Sequence, residues 1–299
     1  MSKQPLMERI AGSGTTLGEG MHITRALPTR HRRLVGAWCF LDHFGPTDAS
    51  SGRGLRVGPH PHIGLQTVTW LLEGEIVHRD SLGSLKAIRP GQLNLMTAGR
   101  GICHSEESPP VRPARLHGAQ LWIAQPESAR HGEPDFVHHA KLPVVQRGQL
   151  CVTLLAGTAL GERSPAAVAT PLVGMELRSL DASDTRLPLD PAFEYAALVL
   201  QGTATLESEF LGPGTLLYLG QGRESLRLNT EGPAVVLLIG GEPFAEETLM
   251  WWNFVGRSQE ELTQACRDWN AAAAYFGTVA GYDGGRLVAP MPPWAIHGA

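Results

Sequence analysis

Residues 58–75 read GPHPHIGLQTVTWLLEGE. The segment 67–72 is rich in β-branched and aromatic residues and ends at Glu73-Gly74, which predicts a β-strand followed by a hairpin turn. Just before it, two histidines stand two residues apart, so on an extended chain both side chains point to the same face. If residues 60–72 form one continuous extended segment, that face lines a cavity that is polar at one end and apolar beyond. The residues on it are His60, His62, Gln66, Val68, Trp70 and Leu72.

Short strands and turns continue along the whole chain. The 299 residues include 35 glycines and 22 prolines, which separate short runs rich in Val, Leu, Ile and Thr. This pattern is typical of an all-β protein with many tight turns. The predicted strands are 67–72, 75–79, 85–89, 92–96, 118–125 and 150–156 in the first half, and 172–180, 195–200, 203–207, 215–219, 225–228 and 234–239 in the second.

Two phrases occur in both halves of the chain in the same order. Residues 71–75 (LLEGE) resemble residues 199–203 (VLQGT), and residues 89–93 (RPGQL) resemble residues 212–216 (GPGTL). One such match is ordinary for β-hairpins, but two in the same order predict a duplicated β-barrel.

A boundary between two domains is predicted after residue 156. Residues 157–171 have neither the period of a strand nor that of a helix, as expected of a segment that crosses between domains. The predicted domains are therefore 1–156 and 157–299.

One helix is predicted near the end of the chain. Ser258 followed three residues later by Glu261 forms a capping box, and apolar residues then recur at helical spacing. These residues, which we interpret as packing surface, are Leu262, Cys266, Trp269, Ala273 and Phe276. The segment 281–299 is rich in Gly and Pro and is expected to run over the surface or onto a barrel.

Composition and charge exclude several classes of protein. With 42% hydrophobic and 18% charged residues, the chain can form the cores of a soluble globular protein. Its net charge of -4 provides no basic face for a phosphate backbone, so direct nucleic-acid binding is not expected. Residues 1–20 predict no signal peptide, and no membrane span is expected. The four cysteines form no Cys-x-x-Cys pair, which argues against a disulfide scaffold and a thiolate zinc site and favours a cytoplasmic location.

A second pair of possible metal ligands follows the first by about forty residues. In residues 99–106 (GRGICHSE), His104 and Glu106 again share a face, while Cys103 and Ser105 point the other way. Two neighbouring strands could therefore bring His60, His62, His104 and Glu106 around one ion. Three neutral imidazoles and one carboxylate suit a borderline divalent metal such as Fe(II) and leave coordination positions open.

Several segments also resemble the pirin family of the cupin superfamily. The most specific are 60–65 (HPHIGL), 67–75 (TVTWLLEGE), 78–83 (HRDSLG) and 96–106 (MTAGRGICHSE), and weaker ones are 41–46 (LDHFGP), 240–244 (GGEPF) and 252–255 (WNFV). The resemblance thus spans nearly the whole chain and is strongest in its first half.

The resemblance implies a bicupin, which consists of two facing antiparallel β-barrels of the double-stranded β-helix type. It implies one iron in the N-terminal barrel, with the family's ligands at His60, His62, His104 and Glu106; Mn, Ni, Co, Cu or Zn are alternatives. One departure is Gln66, where cupins and some pirins have a glutamate. That position is not one of the family's four ligands, so the change concerns the surroundings of the metal and the acidity of the pocket.

The C-terminal domain is expected to bind no metal. No histidine occurs between His139 and His297, so this domain cannot repeat the imidazole set. Glu207 and Glu209 form its only carboxylate pair with the same spacing on a strand-like segment, and two acids at a turn are typically solvated. Outside the four ligands, His78 lies beyond the Glu73-Gly74 turn; a structural role beside Asp80 is favoured over a place at the pocket rim.

The resemblance leaves two functions open. One is a flavonol dioxygenase of the quercetinase type, which takes a small aromatic substrate and dioxygen; Glu106 would serve as ligand and as the base that removes the substrate's hydroxyl proton. The other is an iron-dependent redox regulator that acts by binding a partner protein. A zinc-dependent sugar isomerase is disfavoured, because the face formed by Gln66, Val68, Trp70 and Leu72 offers no cation for a phosphosugar.

Overall fold

The computed structural model describes residues 6–18, 20–50 and 54–296. The strands up to residue 147 are β1 (Glu8–Ala11), β2 (Ser13–Leu17), β3 (Met21–Leu27), β4 (Trp38–Asp48), β5 (Arg56–His62), β6 (Leu65–Glu73), β7 (Ile76–Asp80), β8 (Leu85–Ile88), β9 (Leu93–Thr97), β10 (Ile102–Glu107), β11 (Arg115–Ala124), β12 (Asp135–His139) and β13 (Val144–Arg147). The later strands are β14 (Leu150–Ala159), β15 (Glu162–Arg163), β16 (Leu172–Ser179), β17 (Ser183–Pro188), β18 (Glu194–Gln201), β19 (Ala204–Leu206), β20 (Glu209–Leu211), β21 (Thr215–Gly220), β22 (Ser225–Thr230), β23 (Ala234–Gly241), β24 (Leu249–Trp251) and β25 (Phe254–Gly256). Helix α1 (Gln259–Asn270), a 3-10 helix (Ala274–Phe276) and helix α2 (Pro293–Ile296) follow.

The strands form two pairs of antiparallel sheets. The first pair has the strand orders β12-β9-β6-β11-β4-β3-β2 and β5-β10-β7-β8. The second pair has the orders β1-β21-β18-β23-β16-β14-β13, with β15 attached to β14, and β17-β22-β19-β20. Strands β24 and β25 form a separate hairpin. The all-β class with a C-terminal helix is confirmed, and every predicted strand overlaps an observed one.

The repeated sequence phrases occupy equivalent places in the two halves. The turn at Gly74 joins β6 in a large sheet to β7 in a small one, and the turn at Gly202 joins β18 to β19 in the same way. The turn at Gly91 returns the chain from β8 to β9, as that at Gly214 does from β20 to β21. The duplication read from the sequence is therefore a duplication of structure.

Each half has its own core between its two sheets. In the second half this space is filled by aliphatic side chains from both sheets, such as Leu177, Val199 and Leu228. In the first half the apolar core includes Phe44, Leu71 and Ile88 but does not fill the space, because buried polar residues of β5 and β10 occupy the rest. The first pair of sheets therefore leaves room for a polar site.

The two large sheets pack against each other through a third core. It combines Val68 and Trp70 of β6 with Leu198 and Leu237 of the second half. The Trp70 indole donates a 2.7 Å hydrogen bond to Oε2 of Glu176 across this interface. Buried apolar surface and satisfied indole donors thus hold the halves together.

Strands from the predicted first domain also take part in the second large sheet. β1, from the start of the described chain, pairs with β21 in the second large sheet. The predicted division into 1–156 and 157–299 falls within β14, whose partners are β13, β15 and β16. This division stays a prediction.

The expectation of one continuous strand from residue 60 to residue 72 is wrong. β5 ends at His62 in the small sheet, and β6 begins at Leu65 in the large sheet. Gly64, with φ +68°, turns the chain between them, and a Cβ on this residue would lie 2.2 Å from the carbonyl oxygen of Val255. An L-residue is disfavoured there by both the backbone conformation and the available space.

As a result, the residues of β6 predicted to line the cavity face away from it. Val68, Trp70 and Leu72 belong to the core between the halves. Gln66 donates from Nε2 to Oγ1 of Thr97 at 2.9 Å and to the carbonyl oxygen of Ala167 at 3.0 Å. Gln66 is absent from the lining of the cavity, so it has no direct contact through which to change the acidity of the pocket.

The C-terminal helix begins as predicted but ends earlier. Ser258 is the N-cap of α1, and its hydroxyl accepts a hydrogen bond from the amide of Glu261. The helix ends at Asn270, so Ala273 lies outside it and Phe276 falls in the 3-10 helix. In the described part of the chain, neither α-helix has the length and apolar character that a bilayer crossing requires.

The segment after the helices packs against the first half. The amide of Leu287 donates a 2.8 Å hydrogen bond to the carbonyl oxygen of Pro59, next to the His60-His62 pair. This agrees with the expectation that the tail runs onto a barrel; residues 297–299 of the tail lie outside the described residues.

Candidate metal centre

Strand β10 lies between β5 and β7 and sets the geometry of the site. On one side His104 stands opposite His60, and on the other it stands opposite Asp80. An irregularity in the pairing with β5 follows His104, so that Glu106 stands opposite Val57 and, on the β7 side, opposite His78. Because paired residues share a face of the sheet, polar side chains of three strands converge between the sheets.

Three imidazoles meet at the centre of this cluster. His60, His62 and His104 are 6%, 1% and 1% exposed, and their ligating nitrogens lie within 4.8 Å of one another. Nε2 of His62 lies 3.1 Å from Nε2 of His104, and the rings of His60 and His104 are 4.3 Å apart. The three histidines of the two pairs recognised in the sequence are therefore brought together by neighbouring strands.

Backbone carbonyls fix the proton on two of these rings. Nδ1 of His60 lies 2.8 Å from the carbonyl oxygen of Gly58, and Nδ1 of His62 lies 3.1 Å from that of Asn253. A carbonyl oxygen only accepts, so each Nδ1 carries the proton and each Nε2 keeps its lone pair. The two Nε2 atoms are therefore the ones that a metal ion would bind.

Burial keeps the three histidines neutral. It lowers the pKa of His60 to about 4. Burial also holds the pKa values of His62 and His104 well below the usual value, and the neighbouring imidazoles add to the effect. Neutral imidazole is the form that binds metals, so the site is ready for a cation at neutral pH.

Glu106 is the carboxylate of the cluster and is 7% exposed. Burial raises its pKa. Oε1 of Glu106 lies 3.3 Å from the hydroxyl of Thr69, which lies 2.9 Å from Oε1 of Gln120, and the single hydroxyl proton can serve only one of them at a time. A buried carboxylate with so few donors is costly unless a cation compensates it.

His78 contacts the cluster on the Nδ1 side of His104. Its Nδ1 lies 3.3 Å from Nδ1 of His104, and its Nε2 lies 3.1 Å from Oδ2 of Asp80. His78, His104 and Glu106 form a second group whose possible ligating atoms lie within 4.8 Å of one another. The structural role beside Asp80 is as predicted, but the contact with His104 was not foreseen, because spacing along the sequence does not reveal that β7 neighbours β10.

The donor set fits a divalent metal. The three imidazoles are neutral and converge, and no cationic side chain hydrogen-bonds to Glu106 among the described residues. Glu106 lines the same cavity and lies within 4.8 Å of His104 and His78, but it does not join the closer group that His60, His62 and His104 form. Cys103, on the opposite face, donates through its thiol to the carbonyl oxygen of Gly277, and burial raises its pKa to about 11. This agrees with its expected orientation away from the cluster.

The cluster forms one wall of a cavity of about 300 Å³. Phe40 and Trp122 stack with ring centroids 3.9 Å apart, and the rings of Trp122 and His62 are nearly perpendicular with centroids 5.1 Å apart. Arg25 holds both carboxylate oxygens of Asp42, at 2.9 and 2.8 Å, and its guanidinium carbon lies 4.5 Å from the centre of the Phe40 ring. The opening toward the cluster is therefore flat and aromatic on one side and polar at its edge.

The β24–β25 hairpin supplies two parts of the site that the sequence did not indicate as such. The carbonyl oxygen of Asn253 orients His62, and Trp252 lines the cavity. Trp252 has φ +52°, a conformation that costs an L-residue energy and recurs at functional sites. The only sequence signal was the family resemblance of residues 252–255, which carried no assignment to the site.

Comparison with known proteins places both halves in one family. The family model described as pirin matches residues 20–123, and that described as the pirin C-terminal cupin domain matches residues 174–275. A Pseudomonas aeruginosa protein that carries the provisional name quercetin 2,3-dioxygenase is 48% identical over 291 residues, which cover 97% of this chain and 92% of that protein.

Solved structures give the same fold. A crystal structure of quercetin 2,3-dioxygenase from Acinetobacter baumannii has a TM-score of 0.94 and 45% identity, and the match covers 96% of each chain. A bacterial pirin from Escherichia coli in complex with nickel(II) has a TM-score of 0.62 and 19% identity, covering 80% of this chain and 100% of that chain. The second match bears on the fold alone.

Proposed function

The chain belongs to the pirin family, and we propose that it is a metal-dependent dioxygenase acting on a flavonol such as quercetin. One observation carries the proposal: three buried imidazoles converge at the wall of an aromatic cavity that Glu106 also lines, and Glu106 lies within ligating distance of His104. The bicupin fold expected from the sequence is that of the matched family and of its solved relatives.

The proposed ligands are His60, His62, His104 and Glu106, and the proposed metal is Fe(II). Imidazole and carboxylate donors accept Mn, Ni, Co, Cu and Zn as well, so the donor set alone does not select among them. Bound there, a divalent metal supplies a position for a substrate oxygen and lowers the pKa of that hydroxyl group.

Glu106 is the proposed base. Burial raises its pKa, which makes it a better proton acceptor than an exposed carboxylate. It lies close to His104 and lines the same cavity as the three imidazoles, and the Thr69 hydroxyl can stabilise its charged form by donating to Oε1. Glu106 thus takes the substrate proton and serves as a ligand in the absence of substrate.

The cavity favours a planar aromatic substrate. The stacked rings of Phe40 and Trp122 form a flat wall, and Trp252 borders the opening. A volume of about 300 Å³ lies at the lower end of the range of ligand pockets, roughly 300–1,000 Å³, and suits a compact, fused-ring molecule.

Oxygen consumption tests the proposal. Protein purified without a nickel column is stripped of metal, loaded with one metal at a time, and mixed with quercetin in an oxygen electrode. We expect consumption by the iron form and a fall of at least about 100-fold in kcat for Glu106→Gln. The matched control is Glu107→Gln, because Glu107 pairs with Arg79 and lies outside the cluster. No consumption with iron, manganese, nickel, cobalt or copper would refute the dioxygenase.

An iron-dependent regulator that binds a partner protein is the second candidate. The observation that favours it is the contact from His62 to Asn253, because it links the centre to a hairpin whose Trp251 and Trp252 are partly exposed. A change in the charge of the centre could alter this hairpin and a surface around it. Pull-downs with ferrous and ferric protein distinguish the two; the same partners in both states argue against a switch.

A further inference from the structure

The carboxylate of Asp80 is held by donors on both oxygens. Its Oδ1 accepts the backbone amides of Leu82 at 2.9 Å and Ser84 at 3.0 Å, and its Oδ2 faces Nε2 of His78 at 3.1 Å. Asp80 is 2% exposed, so water does not compete for these positions. An ionised carboxylate only accepts hydrogen bonds, and Asp80 therefore draws the proton of neutral His78 to Nε2.

This proton position makes His78 an acceptor toward His104. With its proton on Nε2, His78 presents a lone pair at Nδ1, 3.3 Å from Nδ1 of His104. His104 must place its own proton on Nδ1 to donate there, which leaves a lone pair on its Nε2. The His78 ring cannot easily turn to escape this arrangement, because it stacks on Phe136 with centroids 4.2 Å apart.

The other two imidazoles of the centre are oriented in a different way. Peptide carbonyls of Gly58 and Asn253 hold the protons of His60 and His62, and no substitution of a side chain removes those acceptors. Only His104 depends on side chains for its tautomer. Once it has the same tautomer as His62, the two Nε2 lone pairs face each other at 3.1 Å with no proton between them. This pair repels unless a cation binds both.

We propose that Asp80 and His78 are positioning residues that fix the tautomer of His104, so that a carboxylate two hydrogen bonds from a ligand controls metal binding. This inference rests on the metal centre proposed above but not on the identity of the substrate. Neither residue lines the cavity, so neither is expected to touch the substrate.

The first test is Asp80→Asn, which is expected to reverse the direction of the hydrogen bonds between residue 80, His78 and His104. The oxygen of the new amide can keep the bonds from Leu82 and Ser84, which leaves its NH₂ group facing Nε2 of His78. That nitrogen must then accept, so the His78 proton moves to Nδ1 and is donated to His104. His104 is left with its proton on Nε2, where the metal should bind, and we expect metal affinity to fall by about 10–100-fold.

Two readouts are measured, and neither is enzymatic activity. Long-range ¹H–¹⁵N correlations of the metal-free protein report the tautomer of His104, with a larger fraction protonated on Nδ1 in the wild type than in Asp80→Asn, where the proton is expected on Nε2. Competition with a chromophoric chelator reports the dissociation constant of the metal. Glu107→Gln, which removes a carboxylate from the same sheet without touching His78, should change neither readout.

A pair of substitutions at His78 keeps the test decisive if Asp80→Asn does not fold. In His78→Gln, one amide can accept from His104 and donate to Asp80, and affinity should stay within about 3-fold of the wild type. His78→Phe can still stack on Phe136 but offers His104 no acceptor, and affinity should fall by about 10-fold or more.

The outcomes separate this inference from the proposed function. Wild-type affinity in both Asp80→Asn and His78→Phe, or an Nδ1 proton on His104 in Asp80→Asn, would overturn the positioning role and leave the dioxygenase standing. Tight metal binding that depends on Asp80 and His78, but without oxygen consumption, would support the positioning role and refute the dioxygenase.

Discussion

Nε2 of His62 lies 3.1 Å from Nε2 of His104, although 42 positions separate the two residues in the sequence. The carbonyl oxygen of Asn253 keeps the proton of His62 on its far nitrogen. Such an approach of two buried imidazoles is stable when His104 donates its own proton from Nε2, or when a cation lies between the two nitrogens. Burial disfavours an additional proton on either ring, so the relationship supports the proposed metal centre.

Acid should destabilise the metal-free protein. The pKa of His60 is about 4 in the folded state, below its ordinary value of 6.5, so the unfolded state binds a proton that the folded state does not. Stability is therefore complete above about pH 6.5 and is lost as the pH falls toward 4, by up to about 3 kcal/mol for this residue. Glu106, whose pKa is raised, offsets part of the loss. Urea unfolding at pH 7, 6 and 5 measures the trend, and equal midpoints at all three would contradict it.

Gly64→Ala should destabilise the corner between β5 and β6. The substitution forces an L-residue to φ +68° and places its Cβ 2.2 Å from the Val255 carbonyl oxygen, so we expect a loss of about 2–4 kcal/mol. Gly91→Ala is the matched control: its φ is +83° but no atom lies within 4 Å, and it should cost about 1 kcal/mol. Equal losses of unfolding free energy in the two variants would show that the contact with the hairpin is unimportant.

The corner between β5 and β6 shows what residue spacing could and could not predict. The spacing of His60 and His62 correctly indicated a shared face, because i and i+2 residues of a strand always share one. The same reasoning failed for Gln66 and Trp70, because Gly64 breaks the strand and passes the chain to another sheet. An isolated glycine inside a strand pattern was the available warning.

The remaining parts of the site depend on long-range pairing. Nothing in the local sequence indicates that Asp80 stands opposite His104, or that the backbone of Asn253 meets His62. Strand neighbours and backbone acceptors are products of the whole fold, so residue type and spacing could not reveal these contacts. The candidate ligands could be predicted from the sequence, but the groups that orient them could not.

Trp252→Ala should weaken the use of substrate and leave metal binding unchanged. The indole lines the cavity, whereas the contact with His62 comes from the backbone of the next residue, Asn253. We expect kcat/KM for quercetin to fall by about 10-fold, mainly through KM, with unaltered metal content. Trp251→Ala is the control in the same hairpin, because Trp251 instead packs edge-on against Trp294. A loss of metal in Trp252→Ala would mean that the side chain supports the centre itself.

Trp70→Phe should loosen the interface between the halves. It removes the 2.7 Å hydrogen bond to Glu176 and leaves that buried carboxylate, which is 3% exposed, with Arg178 as its remaining partner. The expected cost is about 1–3 kcal/mol in unfolding free energy, with no change in metal affinity. Chemical denaturation of Trp70→Phe, Glu176→Gln and the double variant provides the check: purely additive losses would mean that the two residues do not interact.

Metal stoichiometry tests the central claim most directly. Protein purified without a nickel column is stripped, dialysed anaerobically against Fe(II), and analysed for iron per chain, alongside His62→Ala, His104→Ala and the control His138→Ala, whose ring instead faces Asn94. We predict one tightly bound iron in the wild type and in the control, and none in the other two variants. No bound iron in the wild type, or the same amount in all four proteins, would contradict the metal centre.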